Sequence, residues 1–416
     1  MLRMKKISFS LSAILVAATA LAAPIELISP RAGETVCLST PERRAFLEKS
    51  REERRAIFLD KAWRRHIYKK VRSEPNPVKL EWKGGAAPYA VKIERCGKTV
   101  FATNLSETAV VVWNLEIARD YAWSVQGDGE TAKGTFKTMD LAPRDIHLPN
   151  VSNIRDLGGR IGLGGKRVKQ GMAYRSAGLN HNAHKYCSAK ETLKMYKEGT
   201  LEEKFGEEGR KVKKQIDKDK GKFKFDPKAP FLRKSLIKEK CKGTPIITPE
   251  SARYAIDVFG WKSDIDLRRD SETWGMEGSP CGPEVKWWHI SHSAYSGMAQ
   301  PVGKEAFTKV FRVFLDEKNY PLDFHCIGGA DRTGAVAFIL NALLGVSDDE
   351  LDKDWEITCF VYEDQSFGHK SRFDRLRAVF DAYPGSCTRE KVEAYVKGLG
   401  FTDADIAKFR SILLED

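Results

Sequence analysis

Residues 321–344 read PLDFHCIGGADRTGAVAFILNALL, a short strand pattern followed by a loop of small residues and a long apolar segment. A helix that is apolar on every side is stable only when it is buried. The neighbouring segments alternate in type, with helix patterns ESARYAIDVFG and KEAFTKVFRVFLDEK and strand patterns KSDIDLR and KWWHISH. This alternation predicts an α/β domain whose central, mainly parallel sheet is flanked by helices.

The predicted α/β domain covers residues 146–416, and a lysine-rich insertion at about residues 188–242 interrupts it. The insertion contains 18 Lys and Arg residues against 10 Asp and Glu residues. Two interpretations remain open for it. It is either a solvated helical insertion or a basic lid that attracts an anionic substrate.

The N-terminal region, residues 24–140, has a different pattern. Short runs such as PVKLEWKG, YAVKIERCG and YAWSVQGDG alternate apolar and polar residues and end in turn residues. This spacing predicts a small all-β sandwich with Trp82 and Trp123 in its core, and the region resembles a fibronectin type III or immunoglobulin-like module. The charged segment 41–72 has an apolar helical stripe, so we expect it to be a helical insertion packed within this domain.

The first 22 residues have the order of a secretory signal peptide, with basic residues, an apolar run and then Ala20-Leu21-Ala22. We therefore expect an exported protein, periplasmic or secreted, whose mature chain has no transmembrane segment. The net charge of +13 favours acidic partners, such as phosphorylated surfaces or anionic glycans bound through the basic regions. No motif indicates a specific nucleic acid as partner.

The loop between the strand and the apolar helix is suited to bind a tetrahedral anion. Gly328 and Gly329 permit backbone conformations in which successive N–H groups point inward, at the start of a helix. Arg332 adds a planar fork that can hold two phosphate oxygens. The same positive environment stabilises a thiolate at Cys326. A thiolate, an anion cradle and an arginine together suit in-line attack on a phosphoryl group.

These residues stand in a known order. His325-Cys326, five residues later Arg332, and then Thr333 complete the signature of the cysteine-dependent protein tyrosine phosphatase superfamily, which this sequence resembles. More narrowly, the chain is similar to bacterial tyrosine phosphatases whose loop reads HCxxGxDRTG. Further matches in the order of that family are NIRDLGG at 153–159, YRSA at 174–177 and DLR at 266–268.

The resemblance implies a role for each matching residue. Cys326 is the expected nucleophile of a phosphocysteine intermediate, and Thr333 is expected to donate a hydrogen bond to the departing thiolate. No metal or other cofactor is expected. The expected phosphate-binding residues are Ile327, Gly328, Gly329, Ala330, Asp331 and Arg332. The residues expected to support the loop are His325, Asn153, Arg155, Asp156 and Arg268.

The general acid is open among three carboxylates, because protonation of the leaving group needs an acid within reach of the ester oxygen. Asp266 matches the aspartate of the DLR segment and is the first choice. Asp331, inside the loop, is the second choice, and Asp270 is the third. The alternative role for Asp266 is an ion pair with Arg268 or Arg155.

The sequence leaves the substrate open. Phosphotyrosine is the leading expectation, with dual specificity as an extension. An inositol-phosphate or phosphoinositide phosphatase is one alternative, although Ala330 stands where members linked with those substrates carry lysine. An anion- or glycan-binding protein with an inactive phosphatase fold is the other. The aromatic stretch KWWHISHSAY can line a pocket through Trp287, Trp288 and Tyr295, with His289 and His292 at its rim. The alternative, which is favoured for Trp287 and His289, is ordinary alternation of exposed side chains along a strand.

Overall fold

The computed structural model describes residues 23–57, 59–70, 74–182, 187–223, 232, 245–273, 275–362 and 372–416. The expected signal peptide and residues 224–231 and 233–242 of the lysine-rich insertion lie outside the described residues. The chain forms two compact units. The first consists of Met1–Glu34, Lys79–Val112 and Asp120–Lys137, and the second consists of Thr35–Val78, Trp113–Arg119 and Thr138–Asp416.

The first unit consists of β-strands in two sheets. One sheet has the order β1-β3-β6, and the other contains the consecutive antiparallel strands β8-β7-β4-β5. Side chains alternate along the strands, so that Trp82 on β3 and Trp123 on β7 are buried as expected. The strands of this region are β1 (Glu26–Ser29), β2 (Glu34–Val36), β3 (Val78–Lys83), β4 (Tyr89–Arg95), β5 (Lys98–Leu105), β6 (Ala109–Val112), β7 (Asp120–Gly127) and β8 (Glu130–Thr138).

The described part of the charged segment 41–72 forms helices, but these helices belong to the second unit and not to the strand domain in which we expected them. They are α1 (Pro41–Leu47), α2 (Arg51–Ile57) and α3 (Lys61–Lys70). Their apolar stripe, which includes Phe46 and Ile67, packs against Ile357 and Phe360. Arg54 forms a buried ion pair with Glu356 at 2.6 Å. Both the apolar stripe and the arginine thus find their partners in the second unit.

The second unit is an α/β structure, which confirms the predicted class for the C-terminal region. Its sheet has the order β12-β11-β13-β10-β9, in which the first four strands are parallel and β9 is antiparallel at the edge. The bounds of these strands and of the α-helices that follow α3 are β9 (Arg155–Asp156), β10 (Ala173–Ser176), α4 (Ala189–Lys197), α5 (Leu201–Lys218), α6 (Pro249–Asp257), β11 (Ser263–Asp266), β12 (Lys286–His289), α7 (Pro301–Phe314), β13 (Leu322–His325), α8 (Asp331–Leu343), α9 (Asp348–Glu356), α10 (Phe373–Phe380), α11 (Thr388–Lys397) and α12 (Asp403–Leu413).

The apolar segment that constrained the prediction is α8, and every residue from Thr333 to Leu343 is buried. Because β13 lies between β11 and β10, the loop that joins β13 to α8 emerges from the middle of the sheet. The described part of the insertion, α4 and α5, has a small apolar cluster of its own that includes Met195, Phe205 and Ile216. Among the residues that the structure describes, no helix has both the length and the apolar character needed to cross a bilayer.

Candidate active site

The loop from Cys326 to Ala330 requires glycine at one position. Gly329 has a φ of 64°, in the left-handed region that other residues rarely adopt. A Cβ atom at this position would also lie only 2.4 Å from the carbonyl oxygen of Ser176. Any side chain here would therefore force the loop away from β10.

The carbonyl groups of the loop are held by side chains of the surrounding fold. The Gly328 carbonyl accepts hydrogen bonds from Asn153 Nδ2 at 2.9 Å and from the Tyr362 hydroxyl at 3.0 Å. The Gly329 carbonyl accepts one from Arg175 Nη2 at 2.5 Å. Two consecutive carbonyls are thus occupied by the fold, and the N–H groups of Gly329 and Thr333 interact with the Cys326 thiol. An anion cradle needs its carbonyls to be occupied elsewhere and its N–H groups to be directed at the bound anion, and this loop meets the first condition.

A buried carboxylate, Asp354 on α9, anchors the arginines behind the loop. It accepts from Arg155 Nε at 3.1 Å, from Arg160 Nη2 at 2.8 Å and from Arg175 Nη1. Burial would raise the pKa of Asp354, but the three guanidinium groups outweigh it and hold that pKa far below its usual range. Burial, followed by repulsion from Arg155, lowers the pKa of Arg175 to about 9.

This cluster gives a structural role to the arginines of the NIRDLGG and YRSA segments, Arg155 and Arg175. Arg155 Nη1 donates to Asn153 Oδ1 at 2.5 Å and so orients the amide that reaches Gly328. Asp156 does not reach the loop. It accepts from Arg144 at 2.7 Å and from the N–H of Gly158 at 2.8 Å, and it shapes the turn after β9. The sequence had not indicated Asp354, since an acid in a charged helix normally faces solvent.

Cys326 lies at the base of the cradle and is 3% exposed. Burial would raise its pKa, but the charge of Arg332 and the hydrogen-bonding groups of Thr333 and Gly329 outweigh this effect, so the pKa of Cys326 is lowered. The Thr333 hydroxyl is buried beside the Cys326 sulfur, so it is placed to donate a hydrogen bond to the thiolate.

Arg332 is positioned by a residue that the sequence reasoning missed. Its Nη1 donates to Glu272 Oε2 at 2.7 Å and to the Leu267 carbonyl at 3.1 Å. Glu272 in turn accepts from the backbone N–H of Arg269 at 2.8 Å. The sequence offered one signal for Glu272, namely its position as an acidic residue shortly after the DLR strand. Because only one end of the guanidinium is used in this way, the rest of the fork can hold an oxyanion.

Asp266, the first-choice acid, is enclosed by an ion pair. It is fully buried, and Arg268 donates to it from the backbone N–H at 3.0 Å and from Nε at 2.8 Å. Burial opposes ionisation, but protonated His325 and Arg268 lower the pKa of Asp266 to about 2. Arg268 also donates to Asn180 Oδ1 at 2.7 Å. A carboxylate that stays ionised and enclosed is poorly suited to donate a proton, so the ion-pair alternative describes Asp266 better.

Asp331, the second-choice acid, lies where the cradle opens. Its side chain is 36% exposed, accepts a short hydrogen bond from the Tyr295 hydroxyl, and pairs with Arg372 Nη1 at 3.2 Å. Asp270, the third choice, is 88% exposed and its nearest ion-pair partner is His289 at 3.8 Å. Of the three carboxylates, Asp331 is the one that belongs to the loop and also meets solvent.

His325 braces the loop from below. Its Nε2 lies 3.0 Å from Asp264 Oδ1, and its Nδ1 lies 3.1 Å from the Cys326 carbonyl oxygen. Burial opposes its protonation, but Asp266 and Asp264 prevail and raise the pKa of His325 to about 9. Its neighbour Asp323 has a pKa raised by burial to about 8. A protonated histidine can donate from both ring nitrogens, as this position requires.

We expect this buried histidine to make stability depend on pH. The folded pKa of about 9 lies above the unfolded value of roughly 6.5, so the stabilisation is complete below about pH 6.5 and is lost as pH rises through 9. The raised pKa of Asp323 acts in the same direction, and the lowered pKa of Cys326 acts in the opposite one. Denaturant unfolding at about pH 6 and about pH 9.5 should therefore be compared in Cys326→Ser with and without His325→Asn. An equal loss of stability in both proteins would contradict this assignment.

Most of the aromatic stretch does not reach the loop. Trp287 and His289 stack on each other at 5.3 Å between ring centroids. His292 is buried against Phe307, and burial lowers its pKa to about 4. Trp288 has Lys286 over its ring and donates to Ser263. Tyr295 does reach the loop, through Asp331.

Two comparisons with known proteins bear on this site. The model of the tyrosine phosphatase family matches residues 146–196 and 245–415. A Cupriavidus necator protein, provisionally named a tyrosine-protein phosphatase, is 26% identical over 216 residues, which cover 50% of this chain and 60% of that protein. The chain thus spans less than two thirds of the length of this relative. The family match covers more than half of the chain and both sides of the insertion, and the chain belongs to the tyrosine phosphatase family.

Proposed function

We propose that this protein is a cysteine-dependent phosphatase that hydrolyses phosphomonoesters through a phosphocysteine intermediate. The observation that carries the proposal is the lowered pKa of the buried Cys326 thiol inside a loop whose carbonyls are held by the surrounding fold. The thiolate attacks phosphorus, the bond to the ester oxygen breaks, and that oxygen leaves with a proton from an acid. Water then attacks the phosphocysteine and releases phosphate and the thiolate. Hydrolysis of p-nitrophenyl phosphate by the reduced protein is the direct test.

We assign the general acid to Asp331. It is in the phosphate loop, next to Arg332 in sequence, and it is accessible to solvent. Asp266 is enclosed by Arg268 and ionised, and Asp270 points to solvent beside His289. A carboxyl at the opening of the cradle can exchange its proton with water between turnovers, whereas an enclosed one cannot do so readily.

Asp331→Asn should lower kcat for phenyl phosphate by roughly 10²-fold and have a much smaller effect on p-nitrophenyl phosphate. The reason is that phenolate is a poor leaving group and needs the proton, whereas p-nitrophenolate leaves with little assistance. The measurement is kcat against leaving-group pKa for a series of aryl phosphates.

Asp270→Asn is the matched control, and its leaving-group dependence should equal that of the parent protein. Asp266→Asn should instead act on stability, because it leaves the buried Arg268 without its carboxylate. A parent-like leaving-group profile in Asp331→Asn would remove the acid role from Asp331.

Phosphotyrosine is the substrate that we propose first, with dual specificity as an extension. An exposed Ile327 at the loop and the ring of Tyr295 beside Asp331 offer apolar and aromatic surface for an aryl group. Ala330 removes the loop cation that a polyphosphorylated inositol would use. A panel of phosphotyrosine, phosphoserine and phosphothreonine peptides with inositol phosphates ranks these substrates by kcat/KM. Binding of phosphate without any turnover would favour the anion-binding alternative.

We also propose that the protein is exported and that its first unit is a fibronectin type III or immunoglobulin-like module. The signal-like order of residues 1–22 supports export, and two sheets with alternating burial support the comparison with such modules. Expression of the full chain in a bacterium, followed by fractionation and N-terminal sequencing, tests the export. A cytoplasmic product that retains its first 22 residues would contradict it.

A further inference from the structure

The proposed acid is held in an ion pair at the mouth of the site. Arg372 Nη1 lies 3.2 Å from Asp331 Oδ1 and 3.2 Å from Asp331 Oδ2, and the Tyr295 hydroxyl donates to the same carboxylate. The side chains of Arg372 and Asp331 are 32% and 36% exposed, so a ligand can reach the pair from solvent.

This pairing opposes the function of the acid. A carboxyl that donates a proton to the ester oxygen must carry that proton beforehand. The ion pair with Arg372 uses the carboxylate oxygens of Asp331, whereas an acid must present a protonated carboxyl to the ester oxygen, so the two arrangements exclude each other. An anion that binds Arg372 would therefore release the Asp331 carboxyl from its ion pair.

The surroundings of the pair favour an incoming anion. Arg375, which is exposed on α10, lies over the Tyr295 ring at 4.8 Å from its centroid. Arg372 precedes α10, and the charges of Arg372 and Arg375 both act on the Tyr295 hydroxyl. The loop itself lacks a cation at Ala330. Besides Arg332, positive charge at the mouth of the site therefore comes from Arg372 at the start of α10.

We propose that Arg372 is a specificity-determining residue that selects phosphomonoesters with a second anionic group next to the scissile phosphate. The second anion binds the Arg372 fork in place of Asp331, and Asp331 takes a proton from water and gives it to the leaving oxygen. This inference rests on the proposed phosphatase activity and on Asp331 as the acid. For a peptide substrate, the second anion is the carboxylate of an acidic neighbour of phosphotyrosine.

The central experiment compares two phosphotyrosine peptides, one with aspartate next to phosphotyrosine and one with alanine there. The parent protein should prefer the aspartate peptide by about 10-fold in kcat/KM, and Arg372→Gln should lose this preference. Arg372→Gln should also raise kcat for phenyl phosphate by about 3-fold, since the acid is no longer paired. The gain should be absent for p-nitrophenyl phosphate and absent in the Asp331→Asn background.

A second arm distinguishes the source of the anion. An inositol bisphosphate with adjacent phosphates is compared with an inositol monophosphate. A preference for the bisphosphate that Arg372→Gln removes would support the inference with a phosphate as the second anion. A preference confined to the aspartate peptide would support the inference with a carboxylate as the second anion. No preference in either arm would overturn it.

The controls separate this role from a structural one. Arg389→Gln removes an arginine of similar exposure that pairs with Glu393 at 3.0 Å on α11, and it should keep the parent's preference. Arg372→Lys keeps the positive charge and should keep part of the preference. Equal losses on every substrate in Arg372→Gln would show a structural role and overturn the inference. Absence of any Cys326-dependent hydrolysis would instead reject the proposed function itself.

Discussion

Replacement of Cys326 by serine should lower the turnover of p-nitrophenyl phosphate by at least about 10³-fold. The environment of Cys326 lowers the pKa of its thiol through Arg332 and hydrogen bonds, and this favours the thiolate over the thiol. A serine hydroxyl in the same place remains protonated, because its intrinsic acidity is far weaker. The variant should still bind inorganic phosphate, since Arg332 and the loop N–H groups are unchanged.

The measurement is the initial rate of the reduced protein in the presence of EDTA, together with calorimetric binding of inorganic phosphate. Cys387→Ser is the matched control, because Cys387 is an exposed thiol outside the site, and its rate should equal that of the parent. A Cys326→Ser protein with the parent's rate would exclude the phosphocysteine mechanism. Loss of phosphate binding together with activity would point to a misfolded loop and would call for Cys326→Ala.

Asp354→Asn should lower the free energy of unfolding by about 3–5 kcal/mol. Asp354 is the carboxylate shared by three buried arginines, and each of these is no more than 1% exposed. Without the negative charge of Asp354, the guanidinium groups of these three arginines, Arg155, Arg160 and Arg175, repel one another in a region of low polarity. Because Arg175 also holds the Gly329 carbonyl, we expect phosphate affinity to fall as well.

Denaturant unfolding followed by tryptophan fluorescence measures this loss, since Trp355 is adjacent to Asp354 in α9. Asp348→Asn is the matched control on the same helix. Asp348 is 53% exposed and pairs with Arg377 at 3.4 Å, so its loss should cost at most about 1 kcal/mol. A change below about 1 kcal/mol for Asp354→Asn would show that the cluster tolerates the loss of its central charge.

The geometry of the loop between β13 and α8 could be predicted because its determinants are local. The strand, the glycines and the start of α8 are consecutive in the chain, so the backbone brings Cys326, Gly329 and Arg332 close together. The class of the domain followed in the same way from the order of its helices and strands. Local sequence also indicated Asn153, which donates to the Gly328 carbonyl, and Arg155, which holds the Asn153 side chain.

The sequence ranked Asp266 first among the candidate acids, and spacing could not reveal how enclosed each carboxyl is. Asp266 ends β11 and Asp331 begins α8, and spacing does not tell which one an arginine encloses. Asp266 is enclosed by Arg268 two residues later, whereas Asp331 meets Tyr295 and Arg372, which are 36 and 41 residues away. Only side chains brought together from distant segments decide which carboxyl remains accessible to water.

The sequence by itself determined the α/β class and the strand, loop and helix order that carries Cys326 and Arg332, because these depend on neighbouring residues and on the periodicity of buried side chains. The tertiary structure decided the placement of segment 41–72, the use of Asp354 and Glu272 as anchors for arginines, and the enclosure of Asp266 beside the exposure of Asp331. The physical reason is that a charge has no fixed role until its partners and its access to water are known. Both depend on residues that lie far apart in the chain.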